Sequence, residues 1–263
     1  MRSPGSKLDL NNLLNLAKKT ANQARRMLSE LESEGKNHHH FDSKIKREMK
    51  AEVDKLIEQL IVEALTPTGI PILSEESGLT SSLGNHNYQF IVDPIDGTVN
   101  FIRKISSSTI SIALFHNDQP VFGVLAIYPD GGLAWGGPGI GAFLNDNPMQ
   151  VSSLNEESQA VLCSGIPSRL NLDCDANAEK FLHYLNLFAK VRMLGSASVS
   201  LLQVAKGAAD AYIEQDVMIW DVAAGLALVL GAGGSIDLKP GLSIYSRKVT
   251  AQNGQFDSAG WLA

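Results

Sequence analysis

The stretch Tyr88-Gln-Phe-Ile-Val-Asp93-Pro-Ile-Asp96-Gly-Thr98-Val-Asn-Phe101 sets two carboxylates three residues apart at the end of an apolar run. Pro94 biases Asp93 toward extended geometry and starts a turn. Asp96 then lies one turn on, so both acids can face one point. Gly97 and Thr98 open a helix, whose free amide N–H groups and positive end favour an anion. The stretch therefore offers oxygen ligands for a hard cation on one side and a phosphate cradle on the other. On its own it could equally be a turn followed by a helix cap.

Acids elsewhere in the chain weigh against that plainer account. Ile70 to Leu73 reads as a short strand that runs at once into Ser74-Glu75-Glu76-Ser77. Trp220-Asp221-Val222 puts another acid immediately before an apolar helix. Asp54 sits at the flank of the apolar stripe of its helix. Several element ends that each present an acid would repel one another unless a cation holds them. Oxygen-only ligands suit Mg²⁺, Mn²⁺ or Ca²⁺ rather than zinc. With no convincing His or Cys cluster, Mg²⁺ is the expected ion; His38, His39 and His40 read as a loop tract without a partner ligand.

Apolar residues recurring from Leu10 to Leu31 predict an amphipathic helix over 8–33, and those from Ile45 to Ala64 a second helix, ended by the Thr-Pro-Thr-Gly stretch at 66–69. Strands are expected at 70–73 and 88–92, and a hairpin over 107–115 and 121–128. Further strands are expected at 132–136 and 140–144. The polar stretch 145–160 is the candidate boundary between an N-terminal α+β domain, 1–150, and a C-terminal α/β domain, 151–263. Beyond it the pattern alternates: strand 160–164, helix 177–189, strand 190–194, helix 197–206, strand 210–214. A helix over 222–231 is apolar nearly all round and should be buried. Interleaved strands and helices point to a layered α/β fold.

The bulk numbers agree. A chain of 263 residues with 44% hydrophobic content can bury a sizeable core. A net charge of −6 disfavours nucleic acid or an anionic membrane as partner. Cys163 and Cys174 make no disulfide framework and read as two free thiols. The first residues lack the apolar core of a signal peptide, and no apolar run is long enough to span a bilayer. Together these place the expected protein in the cytoplasm.

Glu75-Glu76, Asp93-Pro-Ile-Asp-Gly-Thr-Val-Asn-Phe101 and Trp220-Asp-Val-Ala-Ala-Gly225 resemble, in order and spacing, the three signature motifs of the inositol monophosphatase family. These are Mg²⁺-dependent, lithium-sensitive phosphatases related to fructose bisphosphatase and the bisphosphate nucleotidases. The resemblance implies an alternating α-β-α-β-α sandwich and a homodimer. It implies two or three Mg²⁺ per site. Glu75, Asp93 and the Ile95 carbonyl would hold one ion, and Asp93, Asp96 and Asp221 a second. Thr98, paired with Asp54, would orient the attacking water together with Glu75, and the Gly97 and Thr98 amides would bind phosphate. Asp54-x-x-x-Glu58 matches the family helix. The preceding Lys-Arg-Glu-Met-Lys-Ala-Glu-Val departs from the family's Val-Thr-rich segment, which bears on the weakest metal site and on lithium inhibition. Lys50, one turn before Asp54, is either a solvated lysine or a group that reaches the substrate phosphate.

The second half carries the substrate class. By the same resemblance, Gly195, Ser196 and Ala197 would line substrate hydroxyls. Glu214 would accept hydrogen bonds from a polyol ring; the plainer alternative is a solvated strand-end glutamate. A carboxylate suits hydroxyls and is poor beside a second phosphate. Bisphosphate nucleotidases tend to carry a basic residue near that position and a Lys after Asp-Gly-Thr, where this chain has Glu214 and Val99. The expected activity is hydrolysis of a small polyol or sugar monophosphate, inositol monophosphate first. The alternatives are a 3'(2'),5'-bisphosphate nucleotidase and a catalytically inactive binding relative.

Overall fold

In chain order the elements are α1 (Leu10–Ser33), β1 (His39–Phe41), β2 (Met49–Ala51), α2 (Glu52–Leu65), β3 (Ile72–Ser74), β4 (Gly78–Leu79), β5 (Tyr88–Asp96), α3 (Thr98–Arg103), β6 (Ser108–His116), β7 (Gln119–Tyr128), β8 (Leu133–Gly137), β9 (Gly141–Leu144), β10 (Asn147–Pro148), β11 (Val161–Ser164), α4 (Asp175–Leu187), β12 (Lys190–Arg192), α5 (Ala197–Ala205), β13 (Ala211–Met218), α6 (Ile219–Gly231), β14 (Ser235–Pro240) and β15 (Ser246–Gln252). The computed structural model describes residues 9–34, 39–41, 49–80, 87–105, 107–166, 175–258 and 261. His38, Cys174 and the side chain of Lys50 lie outside what is described.

The strands form an eight-stranded sheet, ordered β10-β9-β8-β7-β6-β5-β3-β4, and a five-stranded sheet, ordered β12-β11-β13-β15-β14. Strand alternation assigns their faces. Ile72, Phe90, Val92, Ile112 and Leu114 face one way and pack with Ala17, Leu28, Ile57 and Ile61 of α1 and α2. Leu73, Ile91, Ala113 and Phe115 face the other way and share a core with α5, α6 and one face of the second sheet, through Leu201, Leu226, Tyr212 and Val249. The outer face of the second sheet packs Leu162, Ala211 and Ile213 against Tyr184 and Phe188, at the end of α4. Three cores, the middle one lying on both sides of α5 and α6, thus hold five layers in the order α-β-α-β-α, as the family resemblance implied.

Several boundaries move. Helix α2 begins at Glu52, since Met49–Ala51 pairs with His39–Phe41 as an antiparallel ribbon instead of continuing the helix toward Ile45. Strand β5 runs on through Asp96, with a shift of register against β6 between Asp93 and Asp96. Strand β13 likewise runs to Met218, with a register shift against β15 between Glu214 and Val217. Helix α6 begins at Ile219, which places Asp221 inside its first turn. The edge hairpin β14–β15 had no clear signal: Ser235–Pro240 is half-buried or exposed along its length, so no alternation marks it. No helix among the described residues is long and apolar enough to cross a membrane.

Candidate active site

Asp93, Ile95 and Asp96 lie at the carboxyl end of β5, where open α/β sheets place ligands, and all three are buried. The irregular pairing between Asp93 and Asp96 is what re-aims the two acids, since a bulge turns side chains off the regular alternation. Gly97 follows at φ 87°, in the left-handed region. An added Cβ there would also sit 3.0 Å from the Ser196 Cβ, so only glycine lets the turn pass this close to the start of α5. Thr98 opens α3, and its hydroxyl donates to the Ile95 carbonyl at 3.0 Å. Glu75 occupies the turn after β3, which runs parallel to β5 and ends beside it. Asp221 arrives from the first turn of α6, and Asp54 from the first turn of α2.

Electrostatics brings these acids into one field. Burial holds the Asp93 carboxyl well above the usual carboxylate range, and the charges of Glu75, Asp96, Asp221 and Asp54 push it further. Burial also raises Asp221, joined by Asp96, Glu75 and Glu214. Asp96 is raised by burial as well, but hydrogen bonds from Ser196 and Ser198 pull it back. One oxygen of Asp96 accepts from the Ser196 hydroxyl at 2.5 Å, from the Ser198 N–H at 2.7 Å and from the Ser198 hydroxyl. Behind Ser198, the Thr109 hydroxyl lies 2.5 Å away.

The carboxylates whose charges raise Asp93 and Asp221 form with them an oxygen-only donor set that a divalent cation would neutralise, so the residues fit a hard metal. Among the described residues no three acids, histidines or cysteines are drawn up into a coordinating cluster as they stand. Part of the reason is local: Asp93 Oδ1 accepts the Ile95 N–H at 2.9 Å, and Asp96 spends an oxygen on three donors.

The other wall comes from the second sheet. Ser196 caps α5 by accepting the Val199 N–H at 3.1 Å, with Gly195 before it and Ala197 after it. Asn100 of α3 donates to the carbonyls of Leu194 at 2.8 Å and Ser107 at 3.2 Å, which ties this segment to the Asp-Gly-Thr turn. Glu214 is buried on β13 and its carboxyl is pushed up to about 7: burial raises it, a hydrogen bond from Tyr212 lowers it, and Asp96 raises it again. It is therefore no solvated strand-end glutamate.

A family model described as "Inositol monophosphatase family" matches residues 9–259. The chain belongs to the inositol monophosphatase family. Among curated relatives, the chain is 34% identical to the Nus factor SuhB of Xylella fastidiosa over 199 residues, 75% of this chain and 71% of that protein. It is 33% identical to an inositol-1-monophosphatase of Synechocystis over 209 residues, 78% of this chain and 72% of that protein. Among solved structures, the extragenic suppressor protein suhB of Bartonella henselae aligns with a TM-score of 0.81 at 27% identity, over 93% of this chain and 95% of that one. The inositol monophosphatase of Anabaena aligns at 0.77 and 29% identity, over 94% and 93%.

Within this candidate site, sequence reasoning passed over the groups that hold the acids. Glu58 is buried one turn beyond Asp54 on α2, and its carboxylate accepts from the Ser74 hydroxyl, the Ser77 hydroxyl and, at 2.9 Å, the Glu76 N–H. It clamps the turn that carries Glu75. The Asp54-x-x-x-Glu58 spacing was the available signal. Ser198 and Tyr212 left none, because hydroxyls in apolar runs show their partners only once folded, and Asn100 stands in the Asp93–Phe101 motif without any sign there of the carbonyls it ties.

Proposed function

We propose that this protein is a metal-dependent phosphomonoesterase that hydrolyses a small polyol or sugar monophosphate, inositol monophosphate foremost. The observation that carries the reading is the convergence of Glu75, Asp93, Asp96 and Asp221 from three separate element ends into one buried field. Family membership supports it, as does the name of the Synechocystis relative.

In this reading Glu75, Asp93 and the Ile95 carbonyl hold one Mg²⁺, and Asp93, Asp96 and Asp221 hold another. The bound metal supplies an activated water and neutralises charge on the attacking and leaving oxygens. The chain does the rest. Thr98, with Asp54 from the neighbouring helix, orients the water, and the Gly97 and Thr98 amides bind phosphate oxygens. Ser196 and Ser198 fix one oxygen of Asp96, which leaves the other for the ion. Such supporting contacts hold a ligand's orientation. Gly195, Ser196, Ala197 and Glu214 take the polyol hydroxyls. Magnesium as the ion, a homodimer and a cytoplasmic setting belong to the same proposal.

The test is phosphate release from a panel of monoesters, including myo-inositol 1-phosphate and a 3',5'-bisphosphate nucleotide, before and after chelation and after Mg²⁺ is restored. Metal-dependent turnover that favours the polyol ester is expected. Full turnover after thorough chelation would refute the mechanism, and preference for the bisphosphate would refute the substrate class.

A further inference from the structure

Glu214 sits in an arrangement that its role as a hydroxyl acceptor does not by itself require. Tyr212 and Glu214 are two apart on β13 and so share a face of the strand. Tyr212 is fully buried, and its hydroxyl donates to Glu214 Oε2 at 2.6 Å. On the other side the carboxylate rests directly against the backbone of Gly165. An ideal Cβ at that glycine would lie 2.3 Å from Oε2 and 2.6 Å from both Oε1 and the carboxyl carbon. Just past Glu214 the strand bulges, and Asp216 adopts φ 63°. That conformation is uncommon for a residue with a side chain. It is held by the Asp216 Oδ1, which accepts the Leu242 N–H at 2.8 Å. A backbone departure that its surroundings hold in place marks a position where geometry matters.

We propose that Tyr212 is the positioning residue of the polyol pocket: with Gly165 as the seat of the carboxylate, it anchors Glu214 through Oε2 and so fixes the direction in which Oε1 is offered to a substrate hydroxyl. The proposal rests on the reading of Glu214 as a polyol acceptor and says how that acceptor discriminates. A free carboxylate swings about its last torsion and can take two vicinal hydroxyls at once, one on each oxygen. A carboxylate anchored through one oxygen inside the protein no longer swings, and offers its other oxygen in a fixed direction. Burial also obliges the carboxylate to keep a donor, since a charged group without one is costly to desolvate. Tyr212 supplies that donor whether or not substrate is bound, so the acceptor is oriented before binding.

The test is a set of three variants measured on myo-inositol 1-phosphate and on p-nitrophenyl phosphate. Tyr212→Phe removes one oxygen and keeps the ring that fills the core. It should raise KM for the inositol ester roughly three- to tenfold, the loss of about one hydrogen bond, while kcat moves less. The loss on p-nitrophenyl phosphate, which has no polyol hydroxyls, should be smaller. Gly165→Ala pushes the carboxylate aside and should show the same selectivity with a larger loss. Tyr212→Phe added to Glu214→Gln should cost little beyond Glu214→Gln alone, because two residues that act through one contact are not additive. Equal losses on both esters, or losses that multiply in the double variant, would overturn the positioning role. Glu214→Gln alone reports on the underlying reading: if it spares the inositol ester, Glu214 is no acceptor and the proposal falls with it. If it is selective and Tyr212→Phe is silent, only the positioning role fails.

Discussion

Two strand irregularities adjoin acids that feel one another's charge, one between Asp93 and Asp96 on β5 and one between Glu214 and Val217 on β13. Each adjoins a carboxylate of the site, yet the surroundings of the two are built to opposite ends. At the first, acid stands beside acid, and the charges of Glu75, Asp96, Asp221 and Asp54 add to the burial that raises Asp93. At the second, one acid is paired with a neutral phenol hydroxyl that pulls against the burial raising it. The first wall is left electrically incomplete, and in the proposed function a cation would complete it. The second is nearly self-sufficient, and in the proposed function would offer its carboxylate to a neutral hydroxyl.

The comparison breaks most sharply at the first wall. Asp93→Asn and Asp221→Asn each remove a charge that in the proposed function would serve the metal, and turnover at saturating Mg²⁺ should fall on the order of a hundredfold or more. The metal-free variants should melt no lower than the metal-free parent, because neutralising one of several mutually repelling acids relieves the others. Steady-state rates and metal-free melting curves check both halves. A variant that keeps more than roughly a tenth of the activity at saturating Mg²⁺ would remove that acid from the metal set.

At the second wall, Glu214→Gln should lower kcat/KM on myo-inositol 1-phosphate by roughly ten- to a hundredfold, the range for losing a charged hydrogen bond. The loss on p-nitrophenyl phosphate should be far smaller, and the Mg²⁺ requirement should persist, since Glu214 is not among the proposed metal ligands even though its charge is felt at Asp221. If both esters fall together, the two walls are one electrostatic unit and the contrast drawn above dissolves.

Glu58→Gln sharpens the contrast by acting on the first wall from behind. The variant exchanges a carboxylate that accepts three hydrogen bonds for an amide that turns its NH₂ toward some of those donors. The turn that carries Glu75 should loosen, and Mg²⁺ affinity should drop about tenfold, as for other residues that orient metal ligands. Calorimetric titration of the metal-free protein reads this directly. Restored turnover at high Mg²⁺ would mark a positioning role, whereas a loss that no metal concentration restores would place Glu58 in the chemistry itself.

The two walls also differ in how far the sequence disclosed them. Asp93, Asp96 and Gly97 lie within five residues, and their proximity is a property of chain geometry, so the motif shows it without any fold. The interleaving of helices and strands was legible for a similar reason, because helix and strand periods are local, while the order of the five layers came from the family resemblance. Glu214 gained its meaning from resemblance, and Tyr212 and Gly165 gained theirs only from the fold, which brings β11 and β13 side by side. Ser198 meets Asp96 across 102 positions of chain, a contact no spacing rule anticipates. The early start expected for α2 failed because the apolar period from Ile45 onward is equally compatible with a short ribbon, and pairing with His39–Phe41 decided the matter.

The smallest expected effect separates the walls by pH. Burial raises Glu214 from its ordinary 4.5 to about 7 in the folded protein. The native state then binds this proton more tightly than the unfolded chain does, so the stability it contributes is complete below about 4.5 and is lost as pH rises through about 7. Glutamine at this position has no proton to lose. In metal-free protein the melting temperature of Glu214→Gln relative to the parent should therefore climb between those two pH values, by a few degrees in all. The acids of the first wall titrate in both proteins, so to first order they drop out of the difference. A difference that stays flat across this window would mean that Glu214 keeps its charge at neutral pH at no cost. The second wall would then be as solvated as an ordinary surface carboxylate, and the hydroxyl of Tyr212 would have nothing to offset.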